Sequence, residues 1–264
     1  MPVLSAGVKY SRKINLYLHL IISFKESILP HSISINLKWF IKTHFIIPFS
    51  LFALVFIGLE SSSLDLTISE HFYNATLHQW LYKDAWLTQT VLHKGGQAFS
   101  KLMGAVVLLF LLFSLPAKSP LHQYRKPLLF LFVAAISGPI IIAILKSNTH
   151  VYCPWDLTFF GGDKPYIRLF DVVPIGLKVG HCFPAGHAGG GFTFLSLYFF
   201  LMAVKPKYKN IGLLIGLLLG LVYGIDQQLR GAHFLSHDVF ALAVCWFVSL
   251  FWFFLIFRKN LQWI

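Results

Sequence analysis

The chain alternates long apolar stretches with short basic turns. Six stretches, 44–60, 102–117, 127–145, 188–204, 211–225 and 239–257, reach or approach the roughly 20 residues that carry a helix across a bilayer core. None contains lysine, arginine or aspartate, and Glu60 sits only at an edge. The pattern predicts an all-α polytopic membrane protein of six transmembrane helices, with a short amphipathic helix and a long structured outer loop. A further apolar segment, Ile14–Phe24, is short and ends at Lys25 and Glu26. It reads as an interfacial helix or an extra stretch, because no small-residue cleavage site follows it. The expected organisation is a cytoplasmic or interfacial arm over 1–43 and a membrane domain over 44–264.

Composition narrows the class. Of 264 residues, 56% are hydrophobic and 12% charged, against about 25% charged in soluble domains. The net charge of +12 raises nucleic acid as a partner. However, the basic residues lie between apolar segments rather than on one face, so positive flanks on membrane helices account for them and no nucleic-acid partner is expected. Lys118, Arg125 and Lys126 lie in one turn, Lys205, Lys207 and Lys209 in another. Arg258 and Lys259 follow the last span, and Lys9, Arg12, Lys13, Lys25, Lys38 and Lys42 precede the first. With six spans all four groups share one side, which the positive-inside rule makes cytoplasmic. The expected location is the cell membrane, the inner one in a diderm bacterium, with both termini cytoplasmic and the connections 61–101, 146–187 and 226–238 outside.

Two of these connections carry structure signals. In 61–101, near-helical alternation follows Asp84, a plausible N-cap for Ala85 onward, and predicts the amphipathic helix on the outer leaflet. The 146–187 loop is rich in glycine, proline and aromatics. A loop of that length without regular structure is usually functional or disordered, and its aromatics argue against disorder. Gly189–Gly191 lacks the Lys-Ser or Lys-Thr of a phosphate loop and reads as a close helix contact. Asn74-Ala75-Thr76 matches a glycosylation acceptor too common to weigh. Cys245 reads as a small core residue within a span.

The polar residues at the outer ends of the spans carry the chemistry. Lys146 ends the third span and His187 opens the fourth, while Arg230, His233, His237 and Asp238 precede the sixth. Ionisable groups at such depths are costly and point to function. Their order resembles the phosphatidic acid phosphatase type 2 and haloperoxidase superfamily. Lys146-SNTHVY-Cys153-Pro154 stands where that family has a lysine, six residues and Arg-Pro. Pro184-Ala185-Gly186-His187 stands for Pro-Ser-Gly-His, and Gln227 to Asp238 covers the third block, with Gln227 in the arginine place and His237 in the aspartate place. The resemblance covers roughly residues 100–257.

The resemblance implies a phosphatase acting on a phosphorylated lipid without a cofactor or metal. His233 would attack phosphorus and His187 would protonate the leaving oxygen. Lys146, Arg230 and the Gly186 amide would bind phosphate, with His237 beside them. Asp238 is the expected orienting group for His233, and His237 its competitor. Cys153 removes a bidentate arginine clamp, a space that Arg230 or Arg168 would have to fill. Ala185 removes one hydroxyl donor. Phosphatidate-like lipids, polyprenyl pyrophosphates and lipid A phosphates all fit as substrates. Two alternatives stay open: a metal-dependent hydrolase built on His233 and His237 with His187 or His181, and a degenerate lipid-binding relative. Cys153 and Cys182, in the outer loop, read equally well as a disulfide or as two buried thiols.

Overall fold

The computed structural model describes residues 33–258 and 261–263. The arm through residue 32, with Ile14–Phe24, lies outside the described residues, as does Lys259. Among the described residues, six helices are long and apolar enough to cross a membrane: α1 (Leu37–Glu60), α3 (Trp86–Ser114), α4 (His122–Lys146), α5 (Gly186–Val204), α6 (Pro206–Leu229) and α7 (Leu235–Phe257). A one-turn-plus helix, α2 (Leu64–Glu70), lies between α1 and α3. Strand content is small: β1 (Ile33–Ile35) pairs in parallel with β4 (Leu261–Trp263), and β2 (Tyr73–Asn74) pairs antiparallel with β3 (Gln79–Trp80). The chain is a multi-pass membrane protein.

Two boundaries differ most from the sequence expectation. The first span begins at Leu37 rather than 44. The helix expected to lie on the outer leaflet from Ala85 is instead the opening of α3, with Ala85 itself in the N-cap position. The physical reason is that its polar residues have partners inside the bundle: Gln89 accepts from Arg230 and His93 contacts Gln227. A segment whose polar side is satisfied by protein has no need of the headgroup layer.

Helix α5 is central. Two thirds of its apolar window (67%) is buried, against 11–33% for the other five. The other helices therefore present most of their apolar surface to lipid. Small residues allow the closest contact. Gly212, Gly216 and Gly220 recur every four residues along α6 and face α5. A Cβ on Gly212 would lie 2.6 Å from the Leu197 carbonyl carbon, so only glycine permits that approach. Gly191 in α5 meets the Gly220 backbone from the other side, which places the glycine run of α5 in a helix contact.

A groove of about 760 Å³ runs between α1, α4 and α7 and opens to the surroundings past exposed Phe49, Ile140 and Phe251. It extends from Val239 to Trp252 along α7, about 20 Å at the usual helical rise. Trp252 marks its far end, where its indole Nε1 donates to Ser137 Oγ at 3.0 Å.

Candidate active site

The connections 61–85, 147–185 and 230–234 gather at one end of the bundle, and the long loop there is ordered. Trp80, Tyr152, Leu157, Phe160 and Phe234 form a buried cluster beneath it. Cys153 and Cys182 are joined in a disulfide, with 5.2 Å between their Cα atoms. The Trp155 N–H donates to Gly231 O at 2.9 Å, tying the loop to the α6–α7 turn. Gly231 makes that turn with φ +72°, a left-handed conformation that glycine adopts without strain.

Helices α5 and α7 each start from a specific contact. Helix α7 has no side-chain cap of its own. Asp65, from α2, accepts the Ser236 N–H at 3.1 Å and caps α7 from a distance. Burial raises the Asp65 carboxyl pKa, and the Ser236 and Leu235 hydrogen bonds oppose that rise. Helix α5 starts after Ala185, whose N–H donates to His237 O at 3.2 Å. The first turns of α5 and α7 are thereby locked together, and with them His187, His233 and His237.

His233 and His237 form one pair, both buried, with their Nδ1 atoms 3.3 Å apart. The disulfide sulfur of Cys182 lies 3.5 Å from His233 Nδ1. Phe183 and Phe234 meet the His237 ring edge to face. Burial pushes the His233 pKa well below its ordinary value, and the Lys146 charge lowers it further. Asp238, expected to orient His233, turns elsewhere: it accepts from Gln228 Nε2 at 2.6 Å and sits against Gly224. The residue brought against His233 is its competitor, His237.

His187 belongs to a second group, some of which sequence reasoning did not find. Its Nε2 lies 3.2 Å from Leu92 O, its ring stacks on Tyr223 at 4.5 Å, and the His93 ring meets its edge at 4.8 Å. His93 Nδ1 is 3.1 Å from Gln227 Nε2, which also donates to Asp226 Oδ2 at 2.5 Å. Asp226 Oδ2 stands 4.0 Å from His187 Nε2. His93 and Tyr223 left no signal in the local pattern. Asp226 had one: an acid beside Gln227, in the serine place of the resembled Ser-Arg pair.

Cations line the same end. Lys146 is half-buried, with Nζ 3.9 Å from where a Gly186 Cβ would stand. Arg230 is buried and donates to the Lys83 carbonyl at 3.0 Å, to Gln227 Oε1 at 3.3 Å and to Gln89 Oε1. Burial lowers the guanidinium pKa while Asp226 and Asp84 raise it, and a guanidinium stays charged in any case. Its hydrogen-bond partners are all neutral, so its charge is available to an anion. Arg168 does not reach the site. It pairs with Asp171 at 3.3 Å and donates to Glu60 O at 2.8 Å.

Among the described residues, two groups have ligand atoms at metal spacing. One is Cys153, Cys182 and His233, whose sulfurs are committed to the disulfide and are not thiolates. The other is His93, His187 and Asp226. The expected alternative set around His233 and His237 gains neither His187 nor His181 at that spacing, and His181 is exposed.

The family model described as the PAP2 superfamily matches residues 127–261, just over half of the chain. The chain belongs to the PAP2 superfamily. The match spans Lys146, His187, Arg230, His233 and His237, whereas Asp65 and His93 precede it. A lipid A 4'-phosphatase of Francisella tularensis subsp. novicida (strain U112) is 29% identical over 181 residues, covering 67% of this chain and 79% of the relative. No solved structure matches the chain. Superfamily and relative together support a phosphoric ester hydrolase built into the membrane.

Proposed function

We propose that the protein hydrolyses a phosphomonoester or pyrophosphate on a lipid through a phosphohistidine on His233. The observation that carries this reading is the convergence, at one end of a six-helix bundle, of two histidine pairs with Lys146 and Arg230. With Nδ1–H of His233 donating to His237 Nδ1, the Nε2 lone pair is free to attack phosphorus. The depressed His233 pKa keeps that lone pair unprotonated near neutral pH. As the N–P bond forms and the ester P–O bond breaks, His187 gives the leaving oxygen its proton. Water then attacks phosphorus, His187 takes its proton back, and the N–P bond breaks to release phosphate. Lys146, Arg230 and the Gly186 amide offset charge on the phosphoryl oxygens. Arg230 takes over from the missing first-block arginine, and His237 is the orienting group.

A lipid substrate suits the surroundings. The groove begins at Val239, two residues beyond His237, and its lining is almost wholly apolar. Its length of about 20 Å exceeds one leaflet's share of a bilayer core about 30 Å thick, so an acyl chain fits along it. The substrate that the Francisella relative's name gives, a lipid A phosphate, belongs with phosphatidate-like lipids and polyprenyl pyrophosphates as the first substrates to try. The site faces away from the cytoplasm in this reading, and both termini are cytoplasmic.

The test is phosphate release by purified protein from a panel of these lipids, with His233→Ala and His187→Ala alongside. Both variants should fall to background while expressing normally. Wild-type turnover by His233→Ala would overturn the phosphohistidine mechanism.

A further inference from the structure

Asp226 is 1% exposed, and its Oδ1 has no hydrogen-bond partner. Oδ2 accepts from Gln227 and faces His187 Nε2 at 4.0 Å. No cation bonds it directly: Arg230 acts on it through charge alone, its N–H groups going to the Lys83 carbonyl, Gln89 and Gln227, and Lys146 lies by the start of α5. A carboxylate buried without a bonded cation is costly. The group placed to become its cation is His187. We infer that Asp226 is a positioning residue for the leaving-group acid, holding His187 as an imidazolium with its Nδ1–H directed at the departing oxygen.

The hydrogen-bond geometry supports one division of labour on the ring. Nε2 of His187 lies 3.2 Å from Leu92 O, which accepts a proton but cannot supply one, so Nε2 carries its hydrogen. Nδ1 is then the atom that exchanges a proton with substrate. Stacking on Tyr223, whose hydroxyl donates to Gly96 O at 3.1 Å, fixes the plane of the ring. Protonating Nδ1 in a site that already holds Lys146 and Arg230 is opposed by like charge. Asp226 offsets that opposition, as a buried carboxylate does for the general base of a catalytic triad. The step balances: the proton on Nδ1 goes to the lipid oxygen as its bond to phosphorus breaks, and the attacking water returns a proton to Nδ1.

This inference rests on the phosphatase reading and has its own test. The substrates are a long-chain alkyl phosphate, whose alkoxide must be protonated to leave, and a nitrophenyl phosphate bearing the same chain, whose phenolate leaves unaided. Asp226→Asn keeps the shape and removes the charge. It should lower kcat on the alkyl ester by about 100-fold, the low end of acid–base contributions, and change the first-turnover burst of nitrophenolate from the aryl ester, which precedes the water step, by less than about threefold. His187→Ala should show the same selectivity in that first turnover while losing steady-state turnover on both esters, and Asp226→Glu should recover part of the alkyl activity. Equal losses of Asp226→Asn on both esters, or no loss on either, would overturn the inference. So would the same selective loss in wild-type protein treated with a chelator, because His93, His187 and Asp226 would then be holding a metal. Should Asp226→Asn not fold, Asp226→Glu and Asp226→Ser decide by the same ratio of esters. A flat first-turnover ratio in His187→Ala, or wild-type protein releasing no phosphate, would instead sink the phosphatase reading beneath it.

Discussion

Burial first and the Lys146 charge second make His233 reluctant to accept a proton, lowering its pKa below the ordinary 6.5. In the proposed mechanism a neutral imidazole is the nucleophile, so the acid limb of kcat/KM should lie well below pH 6.5. Lys146→Met removes one lowering influence, so the limb should move up toward neutral pH even as the maximum falls. A pH profile that keeps its limb in place would remove Lys146 from the vicinity of the nucleophile. Asp65 acts on the same histidines through the backbone. Asp65→Ala should cost about 1 kcal/mol for the lost cap, read as a lower Tm in detergent. It should also lower kcat, because α7 no longer starts in register. Much of this candidate site was legible in the sequence: Lys146, His187 and His233 stand at span ends and in motif places, and Arg230 stands at a span end three residues beyond the motif's arginine place. The choice between His237 and Asp238 was not, since both occupy the first turn of α7 and only packing against α6 decides which one faces His233. His93 and Tyr223 were hidden because their partners come from helices far along the chain.

At the scale of helices, hydropathy located every span, yet it misplaced the start of α3. The polar stretch 86–95 looks like a surface helix until the partners of Gln89 and His93 are known. Periodicity reports which residues avoid water or lipid, not whether a polar face is satisfied by headgroups or by protein. The groove between α1, α4 and α7 was equally invisible, because it is a shape left by three helices rather than a pattern in one. It yields a separable prediction. Ala243, partly exposed in the groove, lies away from the histidines. Ala243→Trp should raise KM for long-chain lipid phosphates about tenfold while leaving kcat and short-chain substrates nearly unchanged. A uniform fall in kcat would mean that the bulk disturbs α7 rather than competing with an acyl chain.

For the whole molecule, two unrelated properties should agree on which end of the bundle faces outward. The turn 115–121, the turn about 205 and the end of α7 carry Lys118, Lys205, Lys207 and Arg258, and they lie at the end opposite the site. The positive-inside rule puts that end in the cytoplasm. The site end carries the Cys153–Cys182 disulfide, a bond that persists in oxidising compartments and is rare in the cytosol. Charge and redox chemistry are independent constraints, so their agreement has content. A C-terminal fluorescent-protein fusion should therefore fold and fluoresce, while an alkaline phosphatase fusion at the same point should stay inactive. An impermeant thiol reagent should label neither cysteine until a reductant is added from outside. Cys153→Ser should then cost roughly 3 kcal/mol, from reopening a loop of 29 residues' separation. It should also weaken activity, because Cys182 lies against His233. An active alkaline phosphatase fusion would reverse the orientation and put the site in the cytoplasm. Free labelling of both cysteines would remove the disulfide and leave loop charge alone to support the outward-facing site.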